Sequence, residues 1–191
     1  MNGGLHKTNK WSPGFLATIF VPMVLVACSG DSVVPFRMPV ELPEVAGSGS
    51  AEPHLALTED GAVVMSWLEP DSAGTALRFA TLDGETWSSI GTVAVGQDWF
   101  VNWADFPSVV PIKDDHWAAH WLAKRPGGTY AYEVAISVSE DAGKTWSRPV
   151  TPHTDGTPTD HGFVTLFPWQ GSVGALGLDG RKMQGGEGGH G

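Results

Sequence analysis

The chain has 191 residues, 21 acidic against 11 basic side chains, and a formal net charge of −10. Such a surface repels phosphate and carries no basic stripe, so nucleic acid is excluded as a partner. Charged residues make up only 17% while tryptophan occurs nine times, which excludes a disordered chain and suits an all-β protein packed through aromatic rings.

Lys7 and Lys10 precede an apolar run from Phe15 to Ala27 that is too short to span a bilayer well, so residues 1–27 read as a signal peptide. Leu25-Val26-Ala27-Cys28 resembles a bacterial lipobox, in which cleavage falls before the cysteine and the thiol receives a diacylglycerol. An ordinary secretory signal with a chance cysteine is the alternative. Cys28 is the only cysteine, so it has no internal disulfide partner, which favours lipidation. The expected location is the extracytoplasmic cell envelope, with the membrane as partner through the lipid anchor. Residues 28–50 are rich in proline, glycine and serine and read as a tether or linker.

The ordered body is expected over residues 51–183. Glu52 to Leu68 can be laid on Asp105 to Leu122 so that Pro53 meets Pro107, Trp67 meets Trp121 and Leu68 meets Leu122, all at an offset of 54. Each unit continues through an alternating strand into a Gly-x-Thr-Trp turn: Ala76 to Thr81 then Asp83-Gly84-Glu85-Thr86-Trp87, and Tyr130 to Ser137 then Gly143-Lys144-Thr145-Trp146. A third unit starts at Asp160 and runs through Val173 to Leu178, where Leu178 takes the place of Leu68 and Leu122. The units are therefore 51–104, 105–159 and 160–183, followed by a glycine-rich tail at 184–191. Asp60-Gly61 and Asp179-Gly180 read as hairpin turns. Short strands at regular spacing argue for an all-β fold, and a repeat of this length with about four strands matches one blade of a β-propeller. A complete small β-sandwich of the same strands is the alternative.

Ser139-Glu140-Asp141-Ala142-Gly143-Lys144-Thr145-Trp146 reads S-x-D-x-G-x-T-W. Asp141 can accept turn amides, Gly143 can take positive φ, and Ser139 and Thr145 can bond locally while Trp146 packs. At every defined position this resembles the Asp-box, or BNR repeat, of the sialidase (neuraminidase) superfamily. Asp83, Gly84, Thr86 and Trp87 resemble a degenerate copy with Leu82 in the aspartate's place. The resemblance implies a partial, six-bladed-type sialidase-like propeller with about two and a half blades present, and thus an incomplete reading frame. It places the box on the outer rim, away from any catalysis. The function it implies is an envelope-anchored propeller that binds or hydrolyses extracytoplasmic glycans, inactive as this fragment. The alternative is a non-catalytic BNR binding or assembly scaffold.

In such propellers the innermost strand of each blade starts near a central channel where ligands bind. The corresponding residues are Glu52, Asp105, and Asp160 with His161. Converging carboxyls repel one another, which raises pKa values or recruits a cation and suits acid/base work on a glycan; turn capping is the plain structural role for the same residues. Resemblance to exo-α-sialidases further implies an arginine triad on the sugar carboxylate, an aspartate acid/base and a tyrosine nucleophile assisted by a glutamate. Phe36-Arg37-Met38-Pro39 imitates the first arginine motif but lies well before the Asp60-Gly61 turn, so Arg37 reads as coincidence. Arg181 is the arginine best placed to face a pocket. His116 and His120 are four apart and share one face of a strand, but no third ligand accompanies them, and neither metal nor cofactor is expected. If Cys28 carries the anchor, Cys28→Ala moves the protein from the membrane fraction to the soluble fraction; an unchanged distribution refutes it.

Overall fold

The structure is a computed structural model that describes residues 38–183 except Asp155 and Pro158. Cys28, Arg37 and the 184–191 tail lie outside the described residues. The chain divides between Val40 and Glu41; of the first unit only the exposed Met38, Pro39 and Val40 are described, and all that follows concerns the second.

The described residues form ten strands and no α-helix: β1 (Ala51–Leu57), β2 (Val63–Asp71), β3 (Gly74–Asp83), β4 (Thr86–Trp87), β5 (Gly91–Gly96), β6 (Ser108–Lys113), β7 (His116–Lys124), β8 (Tyr132–Ser139), β9 (His161–Trp169) and β10 (Ser172–Asp179). They make three antiparallel sheets, none of them closed. The first is the meander β1-β2-β3, whose outer edge is shared by two short strands: β4 pairs with Leu82 and Asp83, β5 with Thr75 to Phe79. The second is β6-β7-β8, and Val150 bridges to Ile136 on its outer edge as a rudimentary fourth strand. The third is β9-β10, tied to the second where Asp160 bridges Tyr132.

The second sheet is covered on both faces, which explains why β7 reads as an apolar run broken by little polarity. Strand alternation sends Trp117, Ala119 and Trp121 toward the first sheet, where they meet Val64, Leu68, Leu77 and Phe79. Ala118 and Leu122 turn the other way and pack with Val110, Ile112, Val134, Ile136 and Leu166. Trp121 stacks on Trp99 with centroids 5.3 Å apart, and Trp99 bridges to Ala123 on β7 just beyond the start of β6. Burying aromatic side chains of this size contributes about 1.5–3 kcal/mol each, so these rings dominate the cohesion between sheets.

The Ser139–Trp146 turn closes on itself through six short-range hydrogen bonds that each use a side chain. Ser139 Oγ accepts from the Asp141 amide at 3.3 Å and the Gly143 amide at 2.8 Å, and donates to Asp141 Oδ1 at 2.8 Å. Asp141 also accepts from the Thr145 amide at 2.8 Å and its hydroxyl at 2.6 Å, and the Trp146 indole donates to the Gly143 carbonyl at 3.0 Å. Donation from Thr145 is the largest influence holding the Asp141 carboxyl down at about 2. The turn carries two left-handed residues, Ala142 with φ 55° and Gly143 with φ 83°. Its far side meets the first sheet, because Phe79 stands edge-on to both Trp146 and Trp117. A Cβ on Gly143 would lie 2.6 Å from Phe79 Cζ, and one on Gly91 of β5 would lie 2.3 Å from the same atom.

The degenerate copy folds differently. Ala80 and Leu82 stand where Ser139 and Asp141 supply the bonding oxygens, so no such network can form, and Asp83 pairs with Thr86 in a tight hairpin around Gly84. The Trp87 indole donates instead to the Pro43 carbonyl at 3.0 Å, pinning the segment before β1. At Asp179-Gly180 the hairpin expectation is corrected: Asp179 ends β10 and Gly180–Met183 form a 3-10 turn, with the Gly180 amide bonded to the Asp160 carbonyl at 2.9 Å.

Two substitutions test the clasp. Gly143→Ala is expected to lose about 1–3 kcal/mol, because it adds strain at positive φ to the collision with Phe79. Asp141→Ala is expected to lower the melting temperature by several degrees. The carboxyl is depressed in the folded state, so its contribution is present above pH about 4 and vanishes as pH falls through about 2. The melting curves of Asp141→Ala and the parent should therefore converge in strong acid.

Candidate functional site

The first strands of the three sheets lie in sequence, β1 against β6 and β6 against β9. Polar groups collect where these strands begin. Glu52 is buried at the start of β1 in left-handed backbone, φ 59°. The cause is a β-bulge: Ala51 pairs with Leu68 and His54 with Ser66, so Glu52 and Pro53 oppose Trp67 alone. β9 has the same device. Gly162 pairs with Leu178 and Thr165 with Leu176, leaving Phe163 and Val164 opposite Gly177, and Phe163 has φ 52°.

The bulges refine the expected equivalence of the acids. The offset of 54 that pairs His54 with Ser108 and Ser66 with His120 puts Glu52 over Phe106, and the second bulge puts it over Phe163. The acids therefore occupy different repeat positions, yet they still sense one another: Asp105 raises Glu52, and Asp160 raises Asp105.

Asp105 is the buried centre of this group. Its Oδ1 accepts from the Phe163 amide at 2.8 Å and its Oδ2 from the Tyr132 hydroxyl at 3.3 Å, so one carboxyl ties β6, β8 and β9 together. Burial pushes its pKa up, against the pull of those two bonds. Gly162 is required beside it, since a Cβ there would lie 2.1 Å from Asp105 Oδ2. Tyr132 stacks on Phe100 at 4.1 Å, and burial followed by the Asp105 and Asp160 charges drives its phenol far above the ordinary range. The phenol is thus held as a donor and is poorly suited to act as a nucleophile. Glu52 keeps Oε2 without a hydrogen-bond partner, and burial, then Asp105, raises it to about 7.

A second polar layer lies one step along the strands. Ser108 Oγ and His120 Nδ1 are 2.8 Å apart in the interior, and the Ser66 hydroxyl accepts from the Val109 amide at 3.1 Å. Burial and the neighbouring His54 push His120 down to about 4, so it is neutral near pH 7. His116, by contrast, is exposed at the other end of β7. The two histidines do share a strand face, but only His120 is within the core.

His161 begins β9, stacks on His153 at 3.9 Å and places Nε2 3.7 Å from Asp179. Arg181 turns back onto the same Asp179, with Nε 2.7 Å from Oδ2. Arg78 similarly meets Asp71 at 2.9 Å and Glu69 at 3.3 Å, and Arg125 meets Glu133 at 3.1 Å. A cleft of about 240 Å³ beside Tyr132 includes Arg125, Glu133 and His153, and another of about 180 Å³ runs from His161 and His153 to Leu178. Neither is lined by Glu52 or Asp105. Ser139, Asp141, Gly143, Thr145 and Trp146 belong to the clasp and not to this cluster.

Sequence reasoning missed Tyr132, His54 and the Ser108–His120 pair. Tyr132 is one of only two tyrosines and begins a strand, which was a usable signal. The serine–histidine pair follows from register alone and had none.

No protein-family model matches the chain, and no curated protein matches it.

Glu52→Gln tests the electrostatics. A carboxyl raised from 4.5 to about 7 binds its proton more tightly in the folded state, so folding stability falls as pH rises from about 4.5 to 7. The substitution removes that decline. Melting curves of variant and parent should differ most above pH 7, with the variant favoured by about 1–3 kcal/mol, and the difference should shrink below pH 4.5.

Proposed function

We propose that the three sheets are successive blades of a sialidase-like Asp-box β-propeller, attached to the cell envelope through Cys28, and that the mouth around Glu52, Asp105 and Asp160 binds extracytoplasmic glycans. The observation that carries the reading is the Ser139–Trp146 clasp: all six of its named bonds use the residues that define the box, and it joins two meanders whose first strands adjoin. The unfilled Oε2 of Glu52 offers an acceptor to a sugar hydroxyl, and Glu52, near half-protonated at pH 7, can also donate.

A non-catalytic binding scaffold is the reading favoured for activity. Arg78, Arg125 and Arg181 each engage a carboxylate close by, and Tyr132 is held protonated against Asp105. These are poor materials for clamping an anionic sugar or for nucleophilic attack.

The test is to offer the full chain a fluorogenic sialoside and a panel of immobilised neutral and sialylated glycans. Binding without turnover is the expected result, weakened at least about tenfold by Asp105→Asn if the buried carboxyl positions the ligand contacts. Turnover would establish a hydrolase, and neither binding nor turnover would overturn the glycan reading.

A further inference from the structure

Asp105 is buried, yet the aromatic residues around it are not. The turn Asn102–Asp105, closed by the Asp105 amide on the Asn102 carbonyl at 3.1 Å, leaves Trp103 83% exposed. Phe106, next in the chain, is roughly half exposed, and so is Phe163, whose amide holds Asp105 Oδ1. Tyr130 shows a similar share of its surface and reaches the same carboxyl through Phe100 and Tyr132, with ring centroids 6.1 Å and then 4.1 Å apart. A lone exposed ring is ordinary on a protein surface, whereas four about one buried acid form a rim. Phe106 and Phe163 also hold the repeat position that Glu52 holds in the first sheet, so the mouth has one carboxyl and two phenyl rings at equivalent points.

The negative charge of this mouth is uncompensated. Glu52 is 7% exposed, and its Oε2 has no hydrogen-bond partner among the described residues. The charges that shift the two buried acids are themselves negative, Asp105 acting on Glu52 and Asp160 on Asp105. His54 on the same strand and His120 on β7 are held down by burial, and Tyr132 stays protonated, so none of them supplies positive charge near pH 7. Arg78, Arg125 and Arg181 are each bound to a carboxylate of their own. A cation is therefore the complement of this mouth, attracted by the carboxylates and by the faces of the rings. Among the described residues no group of three acids or histidines could hold a metal ion, which directs the search to an organic cation. So little of Glu52 reaches solvent that a compact ammonium suits it better than a broad guanidinium.

We propose that the mouth is a site for a primary ammonium group, carried by an amino sugar whose ring rests on the aromatic rim while the ammonium meets Glu52. That the ammonium belongs to a sugar rests on the glycan reading given above; the acids and the rings require only the amine. N-acetylation of the sugar removes its charge and a carboxylate on the sugar reverses the sign, so both are selected against. Binding also draws a proton from Glu52, which in the free protein holds it up to about pH 7.

Calorimetric titration of the full chain in non-ionic detergent gives the test, with a glucosamine trimer, its N-acetylated counterpart, sialyllactose, and butylamine as an amine without sugar. The glucosamine trimer should bind at least about tenfold more tightly than the N-acetylated one, and sialyllactose most weakly. At pH 6, titrations in buffers of different ionisation enthalpy should register the release of about one proton for each ligand bound. Glu52→Gln should abolish that release and weaken binding about tenfold, and Trp103→Ala with Phe106→Ala should weaken it about two- to tenfold. Trp103→Ala alone serves if circular dichroism shows that the double variant does not fold. Glu85→Gln, at an exposed acid in the β3–β4 hairpin, should change nothing, which sets aside general attraction to an acidic chain. Equal affinity for the two trimers, binding of neither amine, or amine binding that Glu52→Gln or the aromatic variant leaves untouched would overturn the proposal; a neutral glycan still bound would keep the functional reading. Butylamine bound with proton release, while every glycan is refused, would uphold the ammonium site and sink the glycan reading.

Discussion

The double burial of the second sheet is the constraint on which the remaining architecture depends. A strand such as β7 cannot spare either face for solvent, so its neighbours must present apolar surface on both sides. The first sheet does so with Leu68, Leu77 and Phe79, and the third with Leu166 and Val173. Each partner then fixes the direction in which the next strand enters, and the openings of β1, β6 and β9 come to lie side by side. The chemistry at those openings is a by-product of stacking sheets that each needed cover.

Polar groups placed at such a seam have to be satisfied by the sheets themselves. Asp105 shows how: its two oxygens are filled by an amide from β9 and a phenol from β8, which turns a buried acid into a connection between elements. Glu52 shows the opposite. It sits in strained backbone with an unfilled oxygen and holds its proton to about neutral pH. A residue left in that condition destabilises the fold and is ready to bond with something else. The same seam therefore contains one carboxyl given to structure and one available to a ligand.

Much of the frame was legible in the sequence because it is periodic. The offset of 54 carried Pro53, Trp67 and Leu68 onto their counterparts, and register in the sheets follows that spacing. The clasp was legible because the side-chain bonds that define it are local, made between residues no more than four apart; the Ala142 amide, bonded to the Asp115 carbonyl, is the long-range tie that spacing did not show. What escaped was set by a single extra residue. The bulges at Glu52 and Phe163 shift the acids by a position without altering the hydrophobic pattern around them, so alternation gives no sign of them. Tyr132 escaped for another reason, since its meaning comes from a carboxyl 27 residues earlier in the chain. Arg181 was read, from its place in Leu178-Asp179-Gly180-Arg181, as the arginine best placed to face a pocket; in the structure it bonds Asp179, two residues away.

The ring of Phe79 has no room on either side. Gly91, from its own sheet, and Gly143, from the next, each leave the space that a Cβ would occupy. The three positions behave as one volume divided among two sheets. A larger residue at Gly91 becomes acceptable only when position 79 shrinks, and a smaller residue at 79 leaves a void that a methyl at Gly91 could fill, whereas Gly143 is held to glycine by its φ of 83° as well. Sequence drift at this junction is consequently concerted: the first sheet can shift bulk between positions 79 and 91, but the second sheet must keep its glycine for the join to hold.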